Sequence, residues 1–184
     1  MLAFFVLIKF IMMQNKFLNI VLSIILKKPK RTVTGIVLDY NDDWTLMKYI
    51  PDNFVIDGYS LLHHKYTKEY ECGKDEKLKE KVLKLKKEIG TKNKFTISLA
   101  EKSIAEILKI IATKYKFIEV YVETKGKFYV GKIVKITNKS VTLKDITPEG
   151  KWDENFDYDF KDIREIRFDT DYVNSLSLLL KGRK

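Results

Sequence analysis

The sequence predicts an α+β protein built from two small β-barrels in tandem, each preceded and followed by an α-helix. Three observations lead to this prediction: two similar stretches around Gly35 and Gly131, alternation of apolar and polar residues within both, and helical periodicity on either side. The chain has 184 residues, of which 45% are hydrophobic and 33% are charged, which is enough for packed cores. We therefore divide it into a hydrophobic extension (1–16) and two units (17–90 and 91–184).

The first unit is expected to begin with a packed helix from Phe17 to Lys28, ended by Pro29. Its apolar residues recur at the spacing of one helix face. They are Phe17, Ile20, Val21, Ile24 and Ile25.

Two other interpretations of residues 1–26 stay open. The stretch has the length of a membrane span, although Lys9 and other polar residues interrupt it. A secretory signal is the second interpretation, but the start of the chain lacks charge and no small-residue cleavage site follows. If Met12 or Met13 is the true start, residues 1–12 are an upstream extension.

The two similar stretches align with Gly35 over Gly131. Further matches follow after one inserted residue and then after a five-residue insertion in the second copy, and together they indicate a duplication. The aligned pairs are Val37–Ile133, Leu38–Val134 and Tyr40–Ile136, then Trp44–Val141, Thr45–Thr142, Leu46–Leu143 and Pro51–Pro148, then Phe54–Phe156 and Leu61–Ile163.

Each copy is predicted to consist of strands joined by turns. In the first, "GIVLDY" and "WTLMKYI" alternate on either side of the turn-forming residues 41–43; in the second, "GKIVKIT" and "SVTLKDI" flank Asn138-Lys139. A third apolar run follows in both copies. In the second copy this run, "FDYDFKDIREIRF", shifts its phase near Lys161-Asp162, which indicates a bend there.

Helices are predicted around the copies. One begins at Ser98 or Ser103, both of which have a glutamate three residues later, and ends at Lys114. Another runs from about Asp75 to Gly90. The last carries Tyr172, Val173, Leu176 and Leu179 on one face and stops at Gly182.

The second copy, "FIEVYVETKGKFYVGKIVKITNKSVTLKDI" followed by "DYDFKDIREIRF", resembles the Sm and Sm-like proteins. In these an N-terminal helix caps a five-stranded, strongly bent, SH3-like barrel. The resemblance covers Ser103 to Phe168, and less completely Phe17 to Glu71. It implies RNA binding and association through edge strands.

Of the RNA-binding residues that the resemblance implies, only Gly58 is retained, and the aspartate beside it has the wrong charge to bind phosphate. Sm-like proteins place an Asp-x-Met-Asn element between the second and third strands, where this chain has residues 41–45 and 137–141. They place Arg/Lys-Gly between the fourth and fifth strands, where we match Asp57-Gly58 in the first copy and Phe160-Lys161-Asp162 in the second.

The net charge of +10 favours anionic partners, either nucleic acid or a membrane surface, although dispersed lysines also arise from compositional bias. The single Cys72 cannot form an internal disulfide, so we expect a free, buried thiol and a reducing, cytoplasmic environment.

No catalytic or cofactor motif is present, so we predict that the protein is not an enzyme and uses no cofactor. His63-His64 with Cys72, Glu69 and Glu71 does not match a zinc spacing. One dense group of carboxylates could bind a cation or form an acid/base pair, but its members are expected to be solvated turn residues. They are Asp39, Asp42, Asp43, Asp52 and Asp57.

Three short segments interleave lysine with aromatic residues, as a nucleic-acid surface requires: "KYTKEY", "KYKF" and "KGKFYVGK". The alternative is that these aromatic rings face the core. The candidate contacts are Lys65, Lys68, Lys114, Lys116, Lys125, Lys127, Trp44 and Trp152.

We therefore predict a non-enzymatic binding protein whose ligand is nucleic acid or a protein partner. The alternative is a membrane-associated structural or assembly factor tethered by residues 1–26. Oligomerisation through edge strands is compatible with either function.

Overall fold

A computed structural model describes residues 18–27, 30–89, 97–122 and 127–181. These residues form one ten-stranded antiparallel sheet and three α-helices. The strands are β1 (Val21–Leu26), β2 (Arg31–Tyr40), β3 (Trp44–Ile50), β4 (Tyr59–His63), β5 (Thr67–Glu71), β6 (Phe117–Val122), β7 (Phe128–Ile136), β8 (Ser140–Ile146), β9 (Trp152–Asp159) and β10 (Ile163–Phe168). The helices are α1 (Lys74–Leu85), α2 (Ile104–Lys114) and α3 (Asp171–Lys181).

The prediction of two closed barrels is wrong, because the strands form a single open sheet. Their order is β5-β1-β2-β3-β4-β10-β6-β7-β8-β9, and the pairing of β4 with β10 joins the two halves. Alternation of apolar and polar residues identifies a strand, but it does not specify which two other strands lie on either side of it in the sheet. The described sheet therefore has two free edges, at β5 and at β9.

The two five-stranded halves have the same internal strand order and the same register. Leu22 pairs with Gly35 in the first half. Residues 96 positions later, Ile118 and Gly131, pair in the same way in the second half. We call residues that differ by 96 in number equivalent, and every other pair of strands within a half follows the same rule.

The bulges are equivalent as well. The register of β2 shifts between Val37 and Asp39, and the register of β7 shifts between Ile133 and Lys135. An extra residue at the same place in both halves bends both long strands at the same point.

Equivalent glycines allow close strand contact at the centre of each half. A Cβ atom on Gly35 would collide with the carbonyl oxygen of Lys48. A Cβ atom on Gly131 would lie 2.8 Å from the carbonyl oxygen of Lys144, which is equivalent to Lys48. Any other residue would force these strands apart.

The register corrects the sequence alignment after Tyr40. Thr45, which pairs with Tyr40, is equivalent to Val141, which pairs with Ile136, so there is no inserted residue. The later matches, Phe54–Phe156 and Leu61–Ile163, are also wrong, because the register makes Ser60 equivalent to Phe156 and places Leu61 in β4 and Ile163 in β10. Thr-Leu and aromatic residues recur in many strands, so their coincidence misled the alignment.

The predicted helix from Phe17 to Lys28 is also wrong where the structure describes it. Val21–Leu26 forms β1, whose six residues are all buried between β2 and β5. A strand that is buried on both faces reads as a continuous apolar run, and such a run contains helical spacing by accident. Residues 1–17 lie outside the described part of the chain.

The other helices are confirmed within the described residues. α2 begins after Ser103, whose backbone N–H donates to Glu106 Oε2 at 2.8 Å, as the capping box predicts. α1 and α3 cover most of their predicted ranges, although Gly90 and Gly182 lie outside the described residues. The predicted bend in the second copy is a short 3-10 turn, Phe160–Asp162, and His64–Tyr66 forms the equivalent turn in the first half.

Each helix covers a different part of the sheet. α2 contributes Ile107, Leu108 and Ile111 to the largest core, which contains side chains from both halves. The other helices pack on the first three strands of their own half: Leu83 of α1 against Val21, Ile36 and Ile50, and Val173 and Leu176 of α3 against Val130 and Ile146. No helix in the described ranges has both the length and the apolar character needed to cross a bilayer.

Candidate nucleic-acid interface

The two tryptophans that the sequence proposed as recognition residues have opposite environments. Trp44 is only 3% exposed and stacks on His63 with a centroid distance of 4.4 Å, so it belongs to the core. Trp152 is 43% exposed at the start of the edge strand β9. Only Trp152 can therefore present its ring to a ligand.

Trp152 is held between an aromatic ring and a cation. Its ring stacks on Phe117 of β6 at a centroid distance of 6.2 Å and an interplanar angle of 25°. The ammonium group of Lys144 lies 4.9 Å from the Trp152 centroid, within cation–π distance. These contacts orient the indole while leaving part of it open to solvent.

The side chains around Trp152 form a row across neighbouring strands. Phe117 pairs with Lys132 across β6 and β7, and Lys132 pairs with Lys144 across β7 and β8. Because directly paired residues share one face of a sheet, these three side chains are neighbours. Phe117, Lys132, Lys144 and Trp152 are here called the Trp152 surface. It combines a stacking ring with two cations, which is the chemistry of single-stranded nucleic-acid recognition.

Acidic residues border this surface along β9. Four exposed carboxylates lie on this strand, and none of its eight residues is basic. They are Asp153, Glu154, Asp157 and Asp159. One of them, Asp157, already accepts a hydrogen bond from the Thr142 hydroxyl at 2.5 Å.

A second basic group lies where the two halves meet. The register shows that the turn between the fourth and fifth strands of the first half is His64–Tyr66, which corrects its match to Asp57-Gly58. Lys65 in this turn is equivalent to Lys161, and the ammonium group of Lys65 donates to the Lys161 carbonyl oxygen at 3.0 Å. The ammonium group of Lys27 donates to the Lys65 carbonyl oxygen at 2.7 Å. Lys161 also lies 3.5 Å from a carboxylate oxygen of Asp159, so this basic group is partly neutralised.

The remaining lysine candidates do not form one surface. Lys68 lies on β5 at the opposite end of the sheet, and Lys114 lies at the end of α2 over the Tyr115 ring. Lys127 is exposed before β7, and Lys125 lies outside the described residues. Lys116 directly precedes Phe117, and it is the one lysine candidate that is adjacent in the sequence to a residue of the Trp152 surface.

Sequence reasoning missed Lys132 and Lys144. Both occur in strands that were correctly predicted, and alternation could have placed each on the solvent face of its own strand. Their proximity to Trp152 depends on the pairing register, which sequence patterns do not specify.

A buried ionic cluster joins the halves and was also missed. Glu165, which is 0% exposed, forms ion pairs with Arg31 and with Arg167, and its Oε1 accepts a hydrogen bond from the Ser60 hydroxyl at 2.8 Å. Arg167 also lies 3.9 Å from Glu119. Burial, with the nearby Arg167 guanidinium, lowers the pKa of Arg31 to about 10, while burial raises the pKa of Glu119. The cluster connects β2, β4, β6 and β10, so its role is to hold the junction together.

The two histidines serve the fold in the described structure. His64 Nδ1 donates to the Asp42 carbonyl oxygen, and its Nε2 accepts from the Thr45 hydroxyl, both at 2.8 Å. The proton assignment follows because a carbonyl oxygen can only accept. Burial lowers the pKa of His64 to about 4. The described residues contain no group of three or more His, Cys, Asp or Glu side chains arranged to hold a metal ion.

The other polar candidates have structural partners. Asp39 accepts a hydrogen bond from the Leu99 backbone N–H at 2.7 Å, and Asp57 accepts one from the Asp171 backbone N–H at 2.6 Å. Cys72 is a free thiol that is only partly buried, and burial raises its pKa.

No protein-family model, curated protein or solved structure matches this chain.

Proposed function

We propose that the protein is a non-enzymatic binder of single-stranded nucleic acid, with RNA as its ligand, and that it binds through the Trp152 surface. The observation that carries this proposal is an exposed indole, 43% accessible, oriented by Phe117 and Lys144 within a row of lysines. An exposed indole can stack on a base, and the neighbouring ammonium groups can neutralise the adjoining phosphates.

Two further features support the proposal. The net charge of +10 favours encounter with a polyanion. Lys116 and Lys151 are both exposed and precede Phe117 and Trp152 in the chain, so they add positive charge at the ends of these two strands.

The repeated register supports the inference that the two halves arose by duplication of one unit. The resemblance of the second copy to Sm-like proteins rests on its sequence alone, because the strands form an open sheet and not a closed barrel. The proposed ligand contacts nevertheless lie at Trp152 and its neighbouring lysines, which are not the RNA-binding element of those proteins.

The test is fluorescence polarisation of the full-length protein with a mixed single-stranded RNA pool at low and at physiological salt. Base stacking is worth about 1–3 kcal/mol, so Trp152→Ala should weaken binding by about tenfold or more. The double variant Lys132→Ala/Lys144→Ala should also weaken binding and should reduce its dependence on salt.

The matched control is Lys68→Ala/Lys109→Ala, which removes two exposed lysines outside the Trp152 surface. It changes the net charge by the same amount. If this control weakens RNA binding as much as Lys132→Ala/Lys144→Ala does, binding depends on net charge and the Trp152 surface is not the site.

A protein partner is the second candidate. The free edge of β9 carries four carboxylates, which favours a basic, extended peptide that pairs with this strand. Saturable binding of such a peptide at high salt, together with no binding of RNA, would favour this candidate over the first.

A further inference from the structure

Helix α1 has one side fixed against the sheet. Leu83 is fully buried against Val21 and Ile36, and the carboxylate of Glu76 accepts a hydrogen bond from the Ser23 hydroxyl at 2.6 Å. These two residues define the inward side of the helix, so the residues on the other side face away from the described sheet.

The outward side of α1 combines exposed leucines with lysines. Leu78 is 54% exposed and Leu85 is 75% exposed, and because they are seven residues apart they lie two turns apart on one face. Lys74 and Lys81 have the same spacing on the same side, and Lys77 and Lys84 adjoin them, although the Lys84 ammonium group already pairs with a Glu80 carboxylate oxygen at 2.5 Å. We call these six residues the α1 face. The acidic residues of the helix, Asp75, Glu76 and Glu80, lie at other angular positions.

The apolar and basic character continues beyond the helix. The Lys86 ammonium group donates to the Phe54 carbonyl oxygen at 2.7 Å, which places the loop between β3 and β4 beside the end of α1. Val55 in this loop is 57% exposed, and Lys87 is exposed as well. The surface around α1 is therefore a row of apolar side chains bordered by cations.

We propose that the α1 face is a docking site for the surface of an anionic lipid bilayer. The leucines would enter the boundary between headgroups and acyl chains, and the lysines would contact anionic headgroups. Charge complementarity selects the occupant: a zwitterionic surface offers the lysines little, and a nucleic acid offers the exposed leucines little.

The equivalent helix of the second half offers a contrast. α3 also exposes apolar side chains, among them Tyr172 and Leu178, but Lys181 at its end is its only lysine. Within its described side chains α3 therefore lacks the cationic border of the α1 face, and its exposed residues provide a control matched in apolar character.

The experiment is co-sedimentation of the full-length protein with vesicles of phosphatidylcholine containing phosphatidylserine and with vesicles of phosphatidylcholine alone. We expect binding to the anionic vesicles to be stronger by about tenfold or more. Leu78→Ser/Leu85→Ser and Lys77→Glu/Lys81→Glu should each weaken binding to anionic vesicles by about tenfold or more. The control Tyr172→Ser/Leu178→Ser should bind like the parent protein.

Three outcomes would overturn the proposal. Equal binding to both kinds of vesicle would show that the lysines do not recognise anionic headgroups. Unchanged binding of both α1 variants would assign any membrane binding to another segment, such as the apolar residues 1–17. Loss of RNA binding with unchanged vesicle binding in Lys77→Glu/Lys81→Glu would make α1 a nucleic-acid contact. Trp152→Ala should leave vesicle binding unchanged, so this proposal and the RNA proposal can fail separately.

Discussion

The two halves of the sheet share one register but differ in their fourth strands. β4 lies between β3 and β10, whereas β9 pairs with β8 alone among the described strands and forms an edge of the described sheet. Four consecutive residues of β4 are buried, and three of the four equivalent residues of β9 are exposed. They are Tyr59, Ser60, Leu61 and Leu62 in β4, and Asn155, Phe156, Asp157 and Tyr158 in β9.

The fifth strands differ in the opposite sense. β10 is central and β5 is an edge, so Glu165 is buried in ion pairs while the equivalent Glu69 is exposed. The comparison teaches that the same pattern of backbone hydrogen bonds tolerates very different side chains. Whether a strand has one or two neighbouring strands decides which side chains it can carry. A central strand needs apolar or fully paired side chains, and an edge strand carries exposed charge that opposes pairing with a further strand.

The largest expected effect is at Glu165. Glu165→Ala leaves Arg31 and Arg167 in the junction without their shared carboxylate, so we expect the free energy of unfolding to fall by about 3–5 kcal/mol. Chemical denaturation monitored by circular dichroism measures this change.

Glu69→Ala is the matched control, because Glu69 occupies the equivalent position in the same ladder. It should change the free energy of unfolding by no more than about 0.5 kcal/mol. If Glu165→Ala does not fold, Glu165→Gln, which keeps an acceptor for Ser60, allows the same comparison. Equal losses at the two positions would contradict the assignment of the junction as a central, buried site.

A smaller effect is expected from pH. Burial lowers the pKa of His64 from its ordinary value of 6.5 to about 4, so the unfolded chain takes up the proton before the folded one. The contribution of His64 to stability is therefore present above pH 6.5 and is lost as the pH falls towards 4. The loss is about 3 kcal/mol, measured as the free energy of unfolding across this range.

The second half supplies the control for this pH dependence, because its equivalent residue is Phe160. His64→Phe gives the first half the same non-titrating side chain. Its stability should depend less steeply on pH between 6.5 and 4 than that of the parent protein, whatever its stability at neutral pH. An unchanged slope would show that other groups govern the response to acid.

The smallest effect concerns the edge strand. Asp157→Leu gives β9 the residue that β4 has at the equivalent position, Leu61. Because this removes one of the charges that protect the edge, we expect self-association to increase modestly with concentration. Analytical ultracentrifugation measures it, and Asp52→Leu, in the loop after β3, serves as the control for adding an exposed leucine.

Much of the local structure could be predicted because its signals lie within short segments. The capping pair Ser103 and Glu106 indicates the start of α2. The side chain of Asn41 stabilises the turn that follows it, because its Oδ1 accepts a hydrogen bond from the Trp44 backbone N–H at 2.8 Å. Local signals also predicted several other elements: helix α1, strands β2, β3, β7 and β8, and the turn at Phe160–Asp162.

The errors arose where a residue's environment comes from distant segments. The apolar run of β1 resembles a helix face until β2 and β5 cover both of its sides. Trp44 lies beside a polar turn in sequence but packs on His63 of the neighbouring strand. Of the candidate site, Trp152 was predicted, whereas Lys132 and Lys144 became neighbours of it only through the register of β6 to β9.

Outside β1, the sequence by itself determined where most chain segments turn, extend and coil, together with the likeness of the two halves around Gly35 and Gly131. It could do so because propensity, capping and alternation act over a few residues. The tertiary structure decided that β4 pairs with β10, that Glu165 forms ion pairs with two arginines, and that Trp152 lies beside Lys144. The physical reason is that a strand offers the same hydrogen-bonding groups to every partner. The packing of residues far apart in the chain, rather than local propensity, selects which partner it takes.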